Sequence, residues 1–208
     1  MSRYGIDNLS SCDTIVKNCI TRRCVSLERT ERDIIYAFNR LLSKMPVAKI
    51  TTKMITDEAM IGRATFYRHF KDKYDVLNRN YKILLDSCLQ NCNNYRDLFY
   101  ELYCYARDEW SDFHRAFMTT GVNSFENYVF QYSRSVVEEI TRQNRNGEGL
   151  TVPESMQLDV FCYGITYMYR KWTMNQYALD PDTAADSLYN IMPETLKYCW
   201  YKNPLPYQ

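Results

Sequence analysis

Arg63, Ala64, Thr65, Tyr67 and Arg68 crowd one short stretch of a 208-residue chain, and each has a specific use against a polar, anionic surface. Arginine presents a rigid fork of donors that fits guanine O6 and N7. Alanine can sit against a thymine methyl, and threonine and tyrosine hydroxyls suit phosphate oxygens. Around them Ile55, Ala59, Ile61, Phe66 and Phe70 fall where apolar residues would hold two short helices on a longer one, with Ala59 small where helices approach closely. A face of this kind can meet DNA, and it can equally be an ordinary solvated helix surface.

The elements that must position these residues read as helices throughout. Glycine and proline are scarce, six of each, and no strand alternation is sustained, so an all-α fold is expected. The first helix is expected over 26–45, with Ile34, Phe38, Leu41, Leu42 and Met45 on one stripe before Pro46. Two short helices follow near 52–59 and 63–69. A long fourth helix opens at Asp72, with Asp75 at its third position and Leu77, Tyr81, Leu84, Cys88 and Cys92 along one side. Further helices are expected near 95–110, 112–120, 124–144, 153–177 and 182–200, with caps at Asn94, Asn123, Thr151 and Asp180. Residues 158–169 are apolar nearly all round, which predicts cover on several sides, from this domain or from another subunit.

Charge divides the chain. Residues 1–80 hold 15 Lys/Arg against 9 Asp/Glu, and residues 81–208 hold 11 against 16. A basic module on an acidic body suits a protein that meets phosphate at one end, although such a surplus also occurs on ordinary surfaces. No apolar run is long enough to span a bilayer and no signal peptide opens the chain, so a cytoplasmic protein is expected, with its eight cysteines mostly buried reduced thiols.

The run Ala59 to Phe70, containing Thr65-Phe66-Tyr67-Arg68-His69-Phe70 and followed by Lys71-Asp72-Lys73-Tyr74-Asp75-Val76-Leu77, resembles the signature of the TetR/AcrR family of bacterial transcriptional regulators. The resemblance covers about residues 28–78. The Gly164 to Trp172 helix also looks like the C-terminal region of a subgroup that includes dihydroxyacetone-kinase operon co-activators. Residues 1–25 show no convincing period and are expected to form a mobile arm, and the resemblance implies a three-helix DNA-binding domain over 26–78 and a helical ligand-binding and dimerisation domain over 79–208. It further implies that Thr52 touches phosphate and Lys53 a base, that Arg63 and Ala64 face bases, and that Thr65, Tyr67, His69 and Lys73 touch the DNA backbone, with Arg68 on the same face. Two positions depart from the family pattern. Met60 stands where glycine is usual, and Gly62 stands where serine or asparagine is usual.

The mechanism so implied is a homodimer on a near-palindromic double-stranded operator, acting as a repressor, with affinity modulated by a small molecule in the C-terminal domain and no cofactor. The last two helices would form the dimer interface, with Tyr163, Tyr167, Leu188, Met192 and Leu196 as contributors. The rival reading keeps the fold but makes it a protein-interaction co-regulator without a small-molecule effector.

Fifteen of the 19 tyrosines follow residue 80. Tyr103, His114, Phe117, Tyr128, Tyr132, Tyr163 and Tyr167 are candidates for an aromatic effector pocket, against the plainer reading of core packing. Cys88 and Cys92, one helical turn apart, and Cys12, Cys19 and Cys24 in the arm offer metal or redox chemistry. Without a Cys-x-x-Cys pair and with only two histidines, buried thiols are the favoured reading and no metal site is expected. Arg22 and Arg23 could reach a minor groove or lie in a solvated arm. Enzymatic motifs (phosphate-binding glycine loop, paired metal histidines, nucleophile elbow) are missing, so the chain is not expected to be an enzyme.

Overall fold

The computed structural model describes residues 27–108, 110–119, 124–174 and 179–200. The arm, with its cysteines and Arg22-Arg23, lies outside them. The described residues form ten α-helices and a 3-10 turn, with no strand. In chain order the helices are α1 (Arg29–Leu42), α2 (Thr52–Glu58), α3 (Arg63–His69), α4 (Lys73–Asn91), α5 (Tyr95–Asp108), α6 (Trp110–Phe117), α7 (Phe125–Asn144), α8 (Val152–Thr173), α9 (Pro181–Ile191) and α10 (Glu194–Lys197), with the 3-10 turn at Val47–Lys49.

α1 buries Ile34, Ile35, Phe38, Leu41 and Leu42, and Pro46 starts the 3-10 turn that redirects the chain to α2. Against that support pack Ile55 of α2 and Phe66 of α3, both fully buried. α4 leaves this three-helix unit for the larger body. Its start is fixed by Asp72, whose carboxylate accepts from the Tyr74 and Asp75 amides at 2.8 and 3.0 Å, while Asp75 accepts from the Lys71 amide. In the body α7 and α8 pack together, α9 lies along α5, and α4 touches both α5 and α7. One continuous apolar cluster joins the two regions.

The caps explain most boundaries. Asn94 accepts from the Asp97 amide at 2.9 Å to open α5. Asp180 accepts from the Asp182 and Thr183 amides ahead of Pro181. The start of α7 differs from expectation, because Ser124 makes the cap bond to the Asn127 amide and Asn123 lies outside the described residues. The long final helix expected over 182–200 is two helices, since Pro193 has no amide to continue α9 and begins α10 instead.

At α8, Thr151 and Glu154 form a full capping box. The Arg145 guanidinium, bonded to Glu154 at 2.7 and 3.0 Å, together with the Thr151 amide and hydroxyl, holds the Glu154 carboxyl down to about 2 from its ordinary 4.5. A carboxylate whose folded value is depressed adds stability above pH 4.5 that drains as pH falls through about 2. The gap in urea midpoint between the native chain and Glu154→Gln is therefore expected to be wide at pH 7 and to narrow steadily below pH 4.5.

Candidate nucleic-acid interface

The turn between α2 and α3 sets the pose of the exposed helix. The Ile61 amide donates to Thr56 O at 3.0 Å and the Met60 amide to Asp57 O at 3.2 Å, the bond pair of a Schellman motif with Met60 at its left-handed position. Met60 has φ 54° and its side chain stands almost wholly in solvent. The departure seen in the sequence thus falls on the residue where a Cβ is least welcome. Met60→Gly is expected to raise stability by about 1 kcal/mol, the left-handed penalty less the entropy glycine adds to the unfolded chain, as read from a denaturant midpoint. An unchanged or lower midpoint would mean the turn stores no such strain.

Gly62 caps α3 at φ −77° with no side-chain bond. α3 then divides by face. Phe66 is buried and Phe70, at the helix C-cap, nearly so. Arg63, Ala64, Tyr67 and Arg68 are exposed, and Thr65 is half-buried. On α2, Lys53 is exposed and pairs with Asp57 at 2.5 Å one turn away, while Thr52 is half-buried behind the Thr51 cap, which accepts from the Met54 amide.

The arginines separate α3 from a plain solvated helix. Arg29, Arg40, Arg79, Arg96, Arg107, Arg115, Arg134, Arg142, Arg145 and Arg170 all face a carboxylate, and Arg32 also has a partner. Arg63 and Arg68 alone among the described arginines have none. Two unpaired guanidiniums on one exposed helix keep their charge and all their donors for an external anion.

Two expected contacts sit differently. His69 turns inward, only 13% exposed, with Nδ1 3.7 Å from Glu28 and Nε2 buried without a partner. Lys73 reaches back across the fold, where its ammonium donates to Val47 O at 2.7 Å, Ala48 O at 3.0 Å and Ile50 O at 2.7 Å. All three protons therefore have carbonyl acceptors, and burial lowers the Lys73 pKa while Asp72 partly opposes that. Lys73→Ala is expected to cost about 1–3 kcal/mol of stability, because three carbonyls lose a charged donor. A direct phosphate contact would instead flatten the salt dependence of DNA binding by about one unit, so the two measurements discriminate between the roles. Exposed Lys49 and Lys71, passed over in the sequence, bracket the motif and are the cations closest to it in the chain.

The aromatic candidates do not gather at one site. Tyr103 is buried beside Tyr169 and Trp172 in the body. Phe117 is fully buried against Phe125 and Tyr169, and His114 is half-buried on α6. Tyr128 and Tyr132 stack on each other at 5.8 Å beside Tyr81, and Lys82 donates to the Tyr132 hydroxyl. Tyr163 and Tyr167 lie on the outer face of α8, exposed. Cys88, Cys92, Cys104 and Cys162 are buried and in no disulfide, and burial pushes the Cys162 thiol up to about 12. No group of three metal-ligating side chains forms among the described residues.

A three-helix unit that lifts an unpaired cationic helix clear of its core, carried on a helical body, is a helix-turn-helix DNA-binding regulator in architecture. Residues 34–79 match the family model described as bacterial regulatory proteins, tetR family, and residues 93–194 match that of a transcriptional regulator C-terminal region. The chain belongs to the TetR family of transcriptional regulators, which are not enzymes. Among solved structures it is similar to "Dihydroxyacetone kinase operon activator DhaS", with a TM-score of 0.57 at 15% identity over 79% of this chain and 94% of that one. At that identity the likeness is one of fold. No curated protein matches it in sequence. No helix among the described residues is long and apolar enough to cross a membrane.

Proposed function

We propose that this regulator binds a near-palindromic operator in the cytoplasm as a homodimer, with one α3 in each of two successive major grooves about 34–36 Å apart. The observation that carries the reading is the pair of unpaired arginines on α3. Arg63 and Ala64 would face bases, and Thr52, Thr65, Tyr67, Arg68 and Lys53 would hold the phosphates and the adjoining base. Lys73 would then act at short range through its charge and by fixing the turn that precedes α2. The sign of regulation depends on where the operator lies. An operator that overlaps the polymerase site makes the bound dimer a repressor, which is the reading adopted, while the protein of similar fold carries the name of an activator.

The dimer reading rests on α8. Val152, Met156, Val160, Tyr163 and Tyr167 recur at intervals of four, four, three and four, and all are exposed, Val152 and Val160 to 75%. That is a solvent-facing apolar stripe on a helix otherwise packed in the core, and a second copy of the same helix would cover it. Leu188, Met192 and Leu196 are buried inside the protomer, at 5%, 2% and 0%, and so are unavailable to a partner. The expectation that they contribute to a dimer interface is therefore set aside, since hydrophobic spacing does not tell which surface covers a stripe.

Modulation by a small molecule has support in the body. A narrow apolar cavity of about 50 Å³ is lined by Tyr95, Phe99, Tyr103, Thr166 and Tyr169 among others. The Tyr95 hydroxyl and Thr166 Oγ1 are buried without a partner, a cost that a ligand's polar atom would relieve. A ligand there would change DNA affinity only as far as it prefers one spacing of the α3 helices. Fluorescence anisotropy with an intergenic operator and with random duplex tests the DNA reading: steep salt dependence and operator preference support it, and no affinity at low salt would end it.

A further inference from the structure

A larger space lies elsewhere, at the junction of the DNA-binding unit and the body. A partly open cleft of about 240 Å³ lies between Asn39 of α1, Asn80 and Tyr81 of α4, and Asp112, Phe113 and Ala116 of α6, with further apolar walls from neighbouring side chains. It is nearly five times the volume in the body and touches the helix that supports α2 and α3. Any molecule held there contacts both halves of the protein at once.

At its polar side Asn39 and Asn80 face each other across α1 and α4 as reciprocal carboxamides. One bond, Asn80 Nδ2 to Asn39 Oδ1, is 3.0 Å, and the return bond, Asn39 Nδ2 to Asn80 Oδ1, is stretched to 3.5 Å. The long limb leaves a donor and an acceptor side by side and weakly used, since amide pairs prefer about 2.9–3.0 Å. The opposite walls are aromatic and aliphatic, from Tyr81, Phe113 and Ala116. Asp112 is the one charged side chain among the lining residues and is paired with Arg115 at 3.3 Å, so no lining cation is left to hold an anion.

We infer that this junction is a binding site for a compact, uncharged aromatic carboxamide or lactam. Such a molecule offers an adjacent N–H and C=O to insert into the long limb, donating to Asn80 Oδ1 and accepting from Asn39 Nδ2, while its ring packs edge-to-face among the aromatic walls. A cavity of about 150 Å³ accepts benzene, so about 240 Å³ has room for about ten heavy atoms. Bound this way the ligand spaces α1 from α4 and ties both to α6. Its effect on DNA rests on the proposal that α3 is the DNA-contacting helix; the binding itself does not.

Benzamide is the probe, titrated into the full chain by calorimetry, with benzoate and toluene as comparators. The expected result is saturable, millimolar binding of benzamide, at least ten-fold tighter than benzoate. Ala116→Leu, which fills the space from α6, should weaken it at least ten-fold. Asn80→Leu should weaken benzamide by a similar factor and leave toluene unchanged, and it serves if the first variant does not fold. No saturable binding of benzamide up to 20-fold the concentration at which weak fragments ordinarily register, or binding indifferent to both substitutions, overturns the site. Operator anisotropy with benzamide present is the second readout. Intact binding with unaltered operator affinity overturns the coupling, whereas a chain that binds benzamide but no DNA refutes the α3 reading and leaves the site standing.

Discussion

Replacing Arg63 with alanine is expected to weaken operator binding by about 1–3 kcal/mol, roughly five- to 150-fold, and to relax selectivity at a single base pair. The reason is geometric. Arg63 is exposed at the first turn of α3, has no carboxylate partner, and can grip two acceptors of one guanine at once. Nothing in the fold depends on it, so the unfolding midpoint should stay where it is. Binding to random duplex should fall much less, because that binding is owed mainly to summed phosphate charge. Arg68→Ala makes the useful contrast, for a phosphate contact should cost specific and random DNA alike. Equal losses on both for Arg63→Ala would move Arg63 from base reading to backbone contact.

The second large effect is expected at α8. Val160→Glu should convert the proposed dimer to a monomer at micromolar concentration, as read by sedimentation, and lower operator affinity by about 10²–10⁴-fold. The size follows from avidity: joining two recognition helices makes the second docking intramolecular, and that advantage disappears with the interface. Two-fold pairing would also set the introduced carboxylates against an apolar partner face, where an unpaired charge is costly. Val160 is 75% exposed in the protomer, so its own fold loses no core contact and its helicity should be unchanged. A variant that still sediments as a dimer would place the interface away from this stripe.

Much of the DNA-binding unit was legible because its constraints are local. Phe66 and Phe70 lie one turn apart and had to face α1; Asp72, Thr151 and Asp180 announced helix starts through bonds to amides two or three residues on. Met60 could be singled out because the family that the sequence resembles usually has glycine there, and its φ of 54° shows the left-handed turn that glycine would suit. What escaped the sequence depends on distant chain. The carbonyls that Lys73 serves lie 23 to 26 residues away and belong to backbone, which carries no residue type to read. His69 meets Glu28 from still farther along the chain, 41 residues away.

In the body the difficulty was of another kind. Leu188, Leu196, Val160 and Tyr163 all recur at helical spacing, yet the first two close the protomer's own core and the latter two face out. Period tells which residues share a side and is silent on what covers that side. The tyrosines repeat the lesson, since Tyr103 and Tyr169 meet inside while Tyr163 and Tyr167 stand on the surface. The junction space between α1, α4 and α6 had no signature at all, for its walls come from five helices.

The account stands or falls most directly on a footprint of the full chain on the near-palindromic DNA beside its own coding region. Two protected major-groove segments, centred about 10–10.5 base pairs apart on one face of the duplex and lost together with Arg63→Ala, are the predicted result. Protection of a single half-site, or no protection at low salt, would contradict it.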